Sequence, residues 1–251
     1  MANALRLFGL RSVVTGAASG VGEAIVRTLV KHGSEVLALD SPNSGIENHF
    51  GSVRGVHGAV ADINAPDVAT RIGKLAADEL GVVDIVICNF NLYGDAPITD
   101  ADDESLSRIV TRKTSLVEGI CDQLQPMMQS SPAGRIIILG FNRAVFSQDG
   151  TDSYARSEAA IADLTRRLAA GRAKFGINVN YIQPGAIMTP ESRRVFNSDK
   201  ALRDYCIKRS AAKRLGEPVD IAKVALFLAT DDSVFVSGTG IVADGGLAAE
   251  Q

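Results

Sequence analysis

A glycine-rich stretch near the start of the chain has the residue types that bind a pyrophosphate. Gly16, Gly20 and Gly22 lie between an apolar run and a segment whose apolar residues keep helical spacing, which predicts a strand, a tight turn and a helix. Glycines allow positive φ and let phosphate oxygens approach the amides at a helix N-terminus, where the dipole favours an anion. The predicted dinucleotide contacts therefore include Ser19 and Val21 with the three glycines; a bare glycine-rich turn is the alternative.

An acidic residue follows these glycines at the spacing of a ribose ligand. Asp40 ends the next apolar run and lies 18 residues after Gly22. In a dinucleotide-binding fold an acidic side chain near this position binds the adenosine ribose and repels a 2′-phosphate, so NAD(H) is predicted rather than NADP(H). A solvated turn aspartate is the alternative. After the third predicted strand, Asp62 and Ile63 are placed for an adenine-edge contact, although Asp62 could instead cap a helix.

Strand and helix patterns alternate along the whole chain and must position these side chains. Further strands are predicted at 53–60, 82–88, 135–139, 177–182 and 240–243, with helices between them. The run 82–88 is almost wholly apolar, as a parallel strand buried on both faces requires. The prediction is an α/β fold, a Rossmann-like doubly wound parallel sheet with helices on both faces and a ligand crevice at the C-terminal strand ends. Since no linker or composition break divides residues 1–251, we predict a single domain.

Bulk composition excludes several classes of partner. The net charge of −3 gives no reason to expect nucleic acid or an anionic membrane surface, and no apolar run approaches the ~20 residues that span a bilayer. The cysteines Cys88, Cys121 and Cys206 are odd in number and lack metal-ligand spacing, which argues against a disulfide framework and a zinc site. We therefore expect no bound metal, no membrane partner and a cytoplasmic location.

Four segments resemble the short-chain dehydrogenase/reductase family, and the resemblance covers nearly the full length. These segments are 15–22, Gln183 to Pro190, Arg214 to Pro218, and Val236 to Gly246. The resemblance implies seven strands, a nicotinamide cofactor and a homodimer or homotetramer. It also implies that Thr189 contacts the nicotinamide carboxamide. Further cofactor contacts implied in this way are Asn89, Tyr154, Pro184, Gly185 and Ile187.

Members of this family use an Asn, Ser, Tyr and Lys set, of which only the tyrosine is present. Tyr154 matches the Tyr-x-x-x-Lys motif, with Glu158 in the place of the lysine. Phe141 stands where the family has serine, and Lys113 where it has asparagine. A tyrosine needs an adjacent cation to act as a base at neutral pH, so an ionised Glu158 should keep Tyr154 protonated, as a hydrogen-bond donor and a poor base.

Lys113 could compensate for the missing lysine. It comes from the helix that reaches the catalytic lysine in the family, so a Lys113–Glu158 pair could return positive charge to the neighbourhood of Tyr154. The alternative is drift at positions that chemistry no longer constrains. Asn142 and Arg143 follow Phe141 directly, and either could replace the absent serine, Arg143 as an anion or oxyanion partner; a strand-end arginine that faces water is the alternative for Arg143.

The family places a variable substrate lid at about 190–214, and here that segment is basic. It contains eight Lys or Arg residues and three Asp or Glu residues, an excess of five positive charges. This favours a small-molecule substrate that is anionic; a solvated helical face is the alternative. The predicted substrate pocket is apolar, with Phe141, Phe146, Tyr93 and Phe196 beside Arg143.

Three functions are consistent with these patterns. The first is an NAD(H)-dependent oxidoreductase acting on a small carbonyl or alcohol, with an atypical proton relay of Tyr154 with Lys113 and Glu158. The second is a non-redox enzyme on the same fold, for elimination, dehydration, isomerisation or carbon–carbon cleavage. The third is a catalytically silent NAD(H)-binding protein. Fold alone does not choose among them, because function resides in the site.

Overall fold

Seven parallel strands form one sheet. The structure, a computed structural model, describes residues 6–90, 92 and 98–247. The strands are β1 (Arg11–Thr15), β2 (Glu35–Asp40), β3 (Val56–Val60), β4 (Ile85–Cys88), β5 (Arg135–Leu139), β6 (Asn178–Pro184) and β7 (Gly240–Ala243). Their order is β3-β2-β1-β4-β5-β6-β7, and every pair is parallel. The predicted doubly wound α/β fold is confirmed.

Helices cover both faces of the sheet. They are α1 (Gly20–Lys31), α2 (Ile46–His49), α3 (Val68–Glu79), α4 (Asp103–Met128), α5 (Thr151–Arg172), α6 (Pro190–Ser198), α7 (Lys200–Arg209) and α8 (Pro218–Ala229). One core lies under α3, α4 and α5, and a second under α1, α2 and α8. The segment predicted as a lid contains α6 and α7, which enclose a small third cluster. No helix among the described residues is long and apolar enough to cross a membrane.

The central strands are buried on both faces, which explains their composition. All four residues of β4 and all five of β5 are buried, and helices on both sides exclude water from them. The structure shortens the predicted third strand to Val56–Val60 and extends the sixth to Pro184. These differences are confined to strand ends, where local sequence does not determine how far pairing continues.

The strand order reverses direction between β1 and β4. In open α/β sheets a ligand crevice forms beyond the carboxyl ends of the strands at such a point. The loops after β1, β4, β5 and β6 meet there, and α6 lies above them. The fold therefore brings together segments that are far apart in the chain.

Candidate active site

The turn between β1 and α1 is packed too closely for any side chain at its glycines. Gly16 and Gly20 have φ of +59° and +53°. A Cβ on Gly22 would lie 1.8 Å from the Gly16 carbonyl oxygen. Asn89 fixes the turn from the end of β4, since its side-chain amide donates to that oxygen at 3.0 Å and its backbone N–H donates to the Thr15 hydroxyl at 2.9 Å.

A cavity of about 510 Å³ lies beyond the carboxyl ends of the strands, in the range of small-ligand sites. Predicted cofactor residues that line it are Gly16, Ser19, Gly20, Val21, Asp40, Ile63, Asn89, Pro184, Ile187 and Thr189. The predicted catalytic residue Asn142 lines it as well. This juxtaposition of the glycine turn, the end of β2 and the loop after β6 fits an extended dinucleotide.

Four predicted cofactor residues do not line this cavity. Gly22 packs behind the turn, and Gly185 packs against Asp244, where a Cβ would lie 2.6 Å from the Asp244 Cα. The Asp62 carboxylate accepts the Asn64 N–H at 2.9 Å, and the following helix begins only at Val68, so Asp62 is not its cap. Tyr154 lines a second cleft instead.

The ionisable groups that line the cavity are both acidic. Asp40 accepts the N–H groups of Ala18 at 2.8 Å and Ser41 at 2.7 Å, so it joins the glycine turn to the end of β2. Glu191, from the first turn of α6, accepts the Ser19 hydroxyl at 2.9 Å. No Lys or Arg of the described residues lines the cavity. Glu191 is not among the predicted cofactor residues. Its position two residues after Thr189 is the sequence feature that could have indicated a place beside the cofactor.

Tyr154 is buried, and its hydroxyl is hydrogen-bonded to the backbone. It donates to the Pro184 carbonyl at 2.8 Å and accepts from Gln183 Nε2 at 3.4 Å. Burial, followed by the nearby Glu158 carboxyl, raises the pKa of Tyr154 well above its usual value. The phenol is therefore protonated at neutral pH and is a donor rather than a base.

Lys113 and Glu158 bind the same peptide group. Lys113 Nζ donates to the Gly140 carbonyl oxygen at 2.8 Å, and the N–H of Phe141 donates to Glu158 Oε1 at 2.6 Å. These two polar groups belong to the single peptide unit between residues 140 and 141. A Cβ on Gly140 would lie 2.5 Å from Glu158 Oε2, so the carboxylate occupies the space of a side chain there.

Burial shifts the pKa of both charged groups towards the neutral form. It lowers the pKa of Lys113 to about 8 and raises that of Glu158 to about 7, and each charge partly offsets the shift of the other. Lys113 also lies 4.3 Å from the centre of the Phe141 ring. Among the described residues, neither group hydrogen-bonds the Tyr154 hydroxyl, so the predicted relay lacks a direct contact.

Phenylalanines predicted for the substrate pocket lie in the core. Phe141 and Phe146 are fully buried and pack edge to face at 6.2 Å, and Phe146 packs on Tyr154 at 5.4 Å. Phe196 is buried in the cluster under α6 and α7. Phe141 and Phe146 therefore belong to the core that contains Tyr154, and none of the three phenylalanines lines either opening. Tyr93 lies outside the described residues.

Asn142 holds two loops together beside the cavity. Its Oδ1 accepts the N–H groups of Ala144 at 3.0 Å and Ile187 at 3.1 Å, and its Nδ2 donates to the Ile187 carbonyl at 3.0 Å. The side chain therefore fixes the loop after β5 against the loop after β6. Its geometry is that of a positioning residue.

A second, small cleft of about 20 Å³ is bordered by Tyr154. Its lining residues are Arg143, Thr151, Tyr154, Tyr205, Arg209, Asp244 and Leu247. Arg209 is the lid cation that lines this cleft, whereas Arg193, Arg194, Lys200, Arg203, Lys208, Lys213 and Arg214 are exposed. Most of the positive charge of the predicted substrate lid is thus on side chains that are exposed to solvent.

Sequence comparison identifies relatives over almost the whole chain. A family model described as enoyl-(acyl carrier protein) reductase matches residues 16–248. The oxidoreductase UcpA of Escherichia coli is 30% identical over 252 residues, covering 96% of this chain and 95% of UcpA. Xanthoxin dehydrogenase of Arabidopsis thaliana is 32% identical, covering 96% of this chain and 90% of the relative. The 3-oxoacyl-(acyl-carrier-protein) reductase FabG of Thermotoga maritima is 28% identical, covering 97% and 99%.

A solved structure has the same fold. The crystal structure of YwfH, described as an NADPH-dependent reductase involved in bacilysin biosynthesis, superposes with a TM-score of 0.82 at 22% identity. The match covers 95% of this chain and 98% of YwfH. At this identity the likeness shows the fold alone.

Proposed function

The chain belongs to the short-chain dehydrogenase/reductase family and is an oxidoreductase with a nicotinamide cofactor, and from this premise we propose that it uses NADH to reduce a small carbonyl compound, with Tyr154 as the proton donor. The observation that carries the proposal is the buried Tyr154 hydroxyl, which donates to the carbonyl of Pro184, a residue of the large cavity; burial raises its pKa well above the usual value.

The charges in the large cavity favour NAD(H). A 2′-phosphate needs a cation, and the ionisable groups that line this cavity among the described residues are Asp40 and Glu191. In this proposal Asp40, at the end of β2, binds the ribose hydroxyls and repels additional negative charge there. The NADPH dependence of YwfH is a property of that protein. An identity of 22% is too low to assign the same cofactor preference to this chain.

The state of Tyr154 favours reduction over oxidation. A bound nicotinamide supplies the hydride, and the oxygen that receives a proton is then far more basic than a phenol. Tyr154 can therefore donate despite its raised pKa, whereas alcohol oxidation would require it to accept a proton as the phenolate. In this proposal Glu158 keeps Tyr154 protonated, and Lys113, Glu158 and Asn142 position the loops around it.

The assay follows NADH oxidation by absorbance with a panel of small ketones and aldehydes at pH 7. We expect turnover, reduced about 10²- to 10⁴-fold by Tyr154→Phe. Tyr181→Phe is the matched control, because Tyr181 is a buried tyrosine of β6 that lines neither opening. Full activity of Tyr154→Phe would refute the proton-donor role. NADH binding without turnover of any carbonyl would instead support the silent or non-redox alternatives, which the names of the relatives do not favour.

We further propose a homodimer or homotetramer that uses the open edge of the sheet. Strand β7 pairs only with β6 among the described strands. Large apolar side chains are exposed along α8, the turn after it and β7: Val219, Phe227, Val234, Phe235 and Val242. Such a patch is typical of a subunit interface. Light scattering during gel filtration measures the mass, and a monomer at micromolar concentration would refute this assembly.

A further inference from the structure

The second cleft contains a buried guanidinium whose hydrogen bonding is incomplete. Arg143 is 3% exposed. Its Nη1 donates to the Phe146 carbonyl at 2.8 Å, but Nη2 is excluded from solvent and has no hydrogen-bond partner within the part of the chain that the structure describes. A buried charged N–H without an acceptor destabilises the folded state.

Arg135 and Arg172 are also buried arginines with an unpartnered nitrogen, but of the three only Arg143 lines either of the two described openings. Arg172 has a similar unpartnered Nε, yet its guanidinium forms an ion pair with Asp122 at 2.6 Å. No ion pair of the described residues includes Arg143. Its guanidinium carbon lies 5.8 Å from the ring centre of Tyr154 and 5.9 Å from that of Tyr205, so two aromatic rings hold it in place.

We infer that Arg143 binds a carboxylate of the substrate in this cleft, so that the natural substrate is a small oxo acid. Arg143 contacts the ring of Tyr154, and the hydroxyl of Tyr154 donates to the carbonyl of Pro184, a residue that lines the large cavity. A ligand held by Arg143 therefore has its carboxylate on one side of the proposed proton donor and its carbonyl on the other. Arginine suits this role because its fixed charge matches carboxylate geometry.

The cleft must open to admit such a group. Its volume of about 20 Å³ holds about one water molecule, less than a carboxylate requires. Tyr205 and Arg209 of α7 line it together with Asp244. Among the described residues that line the cleft, the two arginines exceed the one aspartate by a single positive charge, which favours a monoanion. Outward movement of α7 would expose Arg143, and closure over the ligand would exclude water.

The reaction in this inference rests on the proposed reductase function, but carboxylate binding does not. The first experiment therefore measures binding without cofactor. Calorimetry compares pyruvate, acetoacetate and levulinate with their methyl esters and with inorganic phosphate. We expect at least one acid to bind at least tenfold more tightly than its ester and more tightly than phosphate. Equal binding of acid and ester, or tighter binding of phosphate, would overturn the inference.

Variants then test whether Arg143 is the residue that binds the carboxylate. Arg143→Met should weaken binding of that acid at least tenfold, and Arg143→Lys should retain part of it because the charge remains. Arg203→Met is the matched control, since it removes an exposed arginine of α7 that does not line the cleft, and its binding should equal wild type. If Arg143→Met fails to fold, Arg143→Lys still decides. Wild-type affinity in both variants would overturn the assignment.

A second readout separates the inference from the function on which it rests. In the NADH assay the ratio of kcat/KM for acid over ester should exceed tenfold and fall in Arg143→Met. Acid-selective binding without any turnover supports the carboxylate site and refutes the reductase. Turnover of neutral ketones with no preference for the acids supports the reductase and refutes the carboxylate site.

Discussion

Lys113 and Glu158 hold opposite ends of one peptide group, the carbonyl of Gly140 and the N–H of Phe141. Both side chains are almost fully buried, at 1% and 3% exposure. Each charge therefore loses its hydration, and the pair is tolerated because opposite charges lie on the two poles of a dipole. Gly140 lines the large cavity, so this arrangement fixes a wall of the cofactor site.

Removing one charge of this pair should destabilise the protein more than removing both. Lys113→Met leaves Glu158 buried without compensation, and we expect a loss of about 3 kcal/mol in unfolding free energy at pH 8. The double variant Lys113→Met/Glu158→Gln should recover at least half of that loss. Urea denaturation measures wild type, the single variants Lys113→Met and Glu158→Gln, and the double variant, with Lys200→Met as a control for an exposed lysine. Strictly additive single-variant losses would contradict the coupling.

Glu158 should make stability depend on pH. The folded protein keeps the Glu158 proton up to a pKa of about 7, while the unfolded chain releases it near 4.5. Between these values the folded state binds more protons, so raising the pH lowers stability. Relative to Glu158→Gln, wild type should lose about 2 kcal/mol between pH 5 and pH 7.5. Denaturation curves at both pH values test this, and a constant difference between the two proteins would contradict it.

The sequence predicts the sheet and the glycine turn, because hydrophobic periodicity and the positions of glycines are local properties of the chain. The contact of Asn89 with Gly16 is not local, since it depends on β1 and β4 becoming neighbours. Likewise, alignment places Lys113 and Glu158 near one another but cannot show that they meet through the peptide after Gly140.

Burial also changes what a residue type implies. Phe141 and Phe146 were predicted as pocket walls because aromatics line apolar sites, but the same rings fill the core beneath Tyr154. Glu191 went unrecognised because a first-turn acid on a helix is usually a dipole cap. Its contact with Ser19 depends on how α6 crosses the glycine turn, which no sequence period encodes. The predicted cytoplasmic location stays a prediction.

Asp40 should determine the cofactor preference. Asp40→Ser removes the negative charge and the ribose acceptor, so NADH should bind about tenfold more weakly while NADPH binds equally well or better. Fluorescence titration with both cofactors gives the ratio. Asp62→Ser is the control, because Asp62 follows the neighbouring strand but does not line the cavity. An unchanged NADH-to-NADPH ratio in Asp40→Ser would show that another group sets the preference.

Glu191 should oppose cofactor binding. Its carboxylate lies 2.9 Å from the Ser19 hydroxyl at the start of α1, where a pyrophosphate would add negative charge. Glu191→Gln keeps a hydrogen-bond acceptor but removes the charge, and NADH affinity should rise about fivefold, on the order of 1 kcal/mol. Asp204→Asn, on the exposed face of α7, should have no effect. An affinity that falls in Glu191→Gln would mean that the carboxylate helps to bind the cofactor.

The shared peptide also restricts how this chain could return to the family's usual residues. If Lys113→Asn came first, Glu158 would remain as a buried charge without its counterpart. If Glu158→Lys came first, two ammonium groups would be buried around one peptide, and the N–H of Phe141 would lose its acceptor. Either order passes through a less stable intermediate. The two positions are therefore epistatic, and evolution could reverse them only together or in a background stable enough to tolerate the first step.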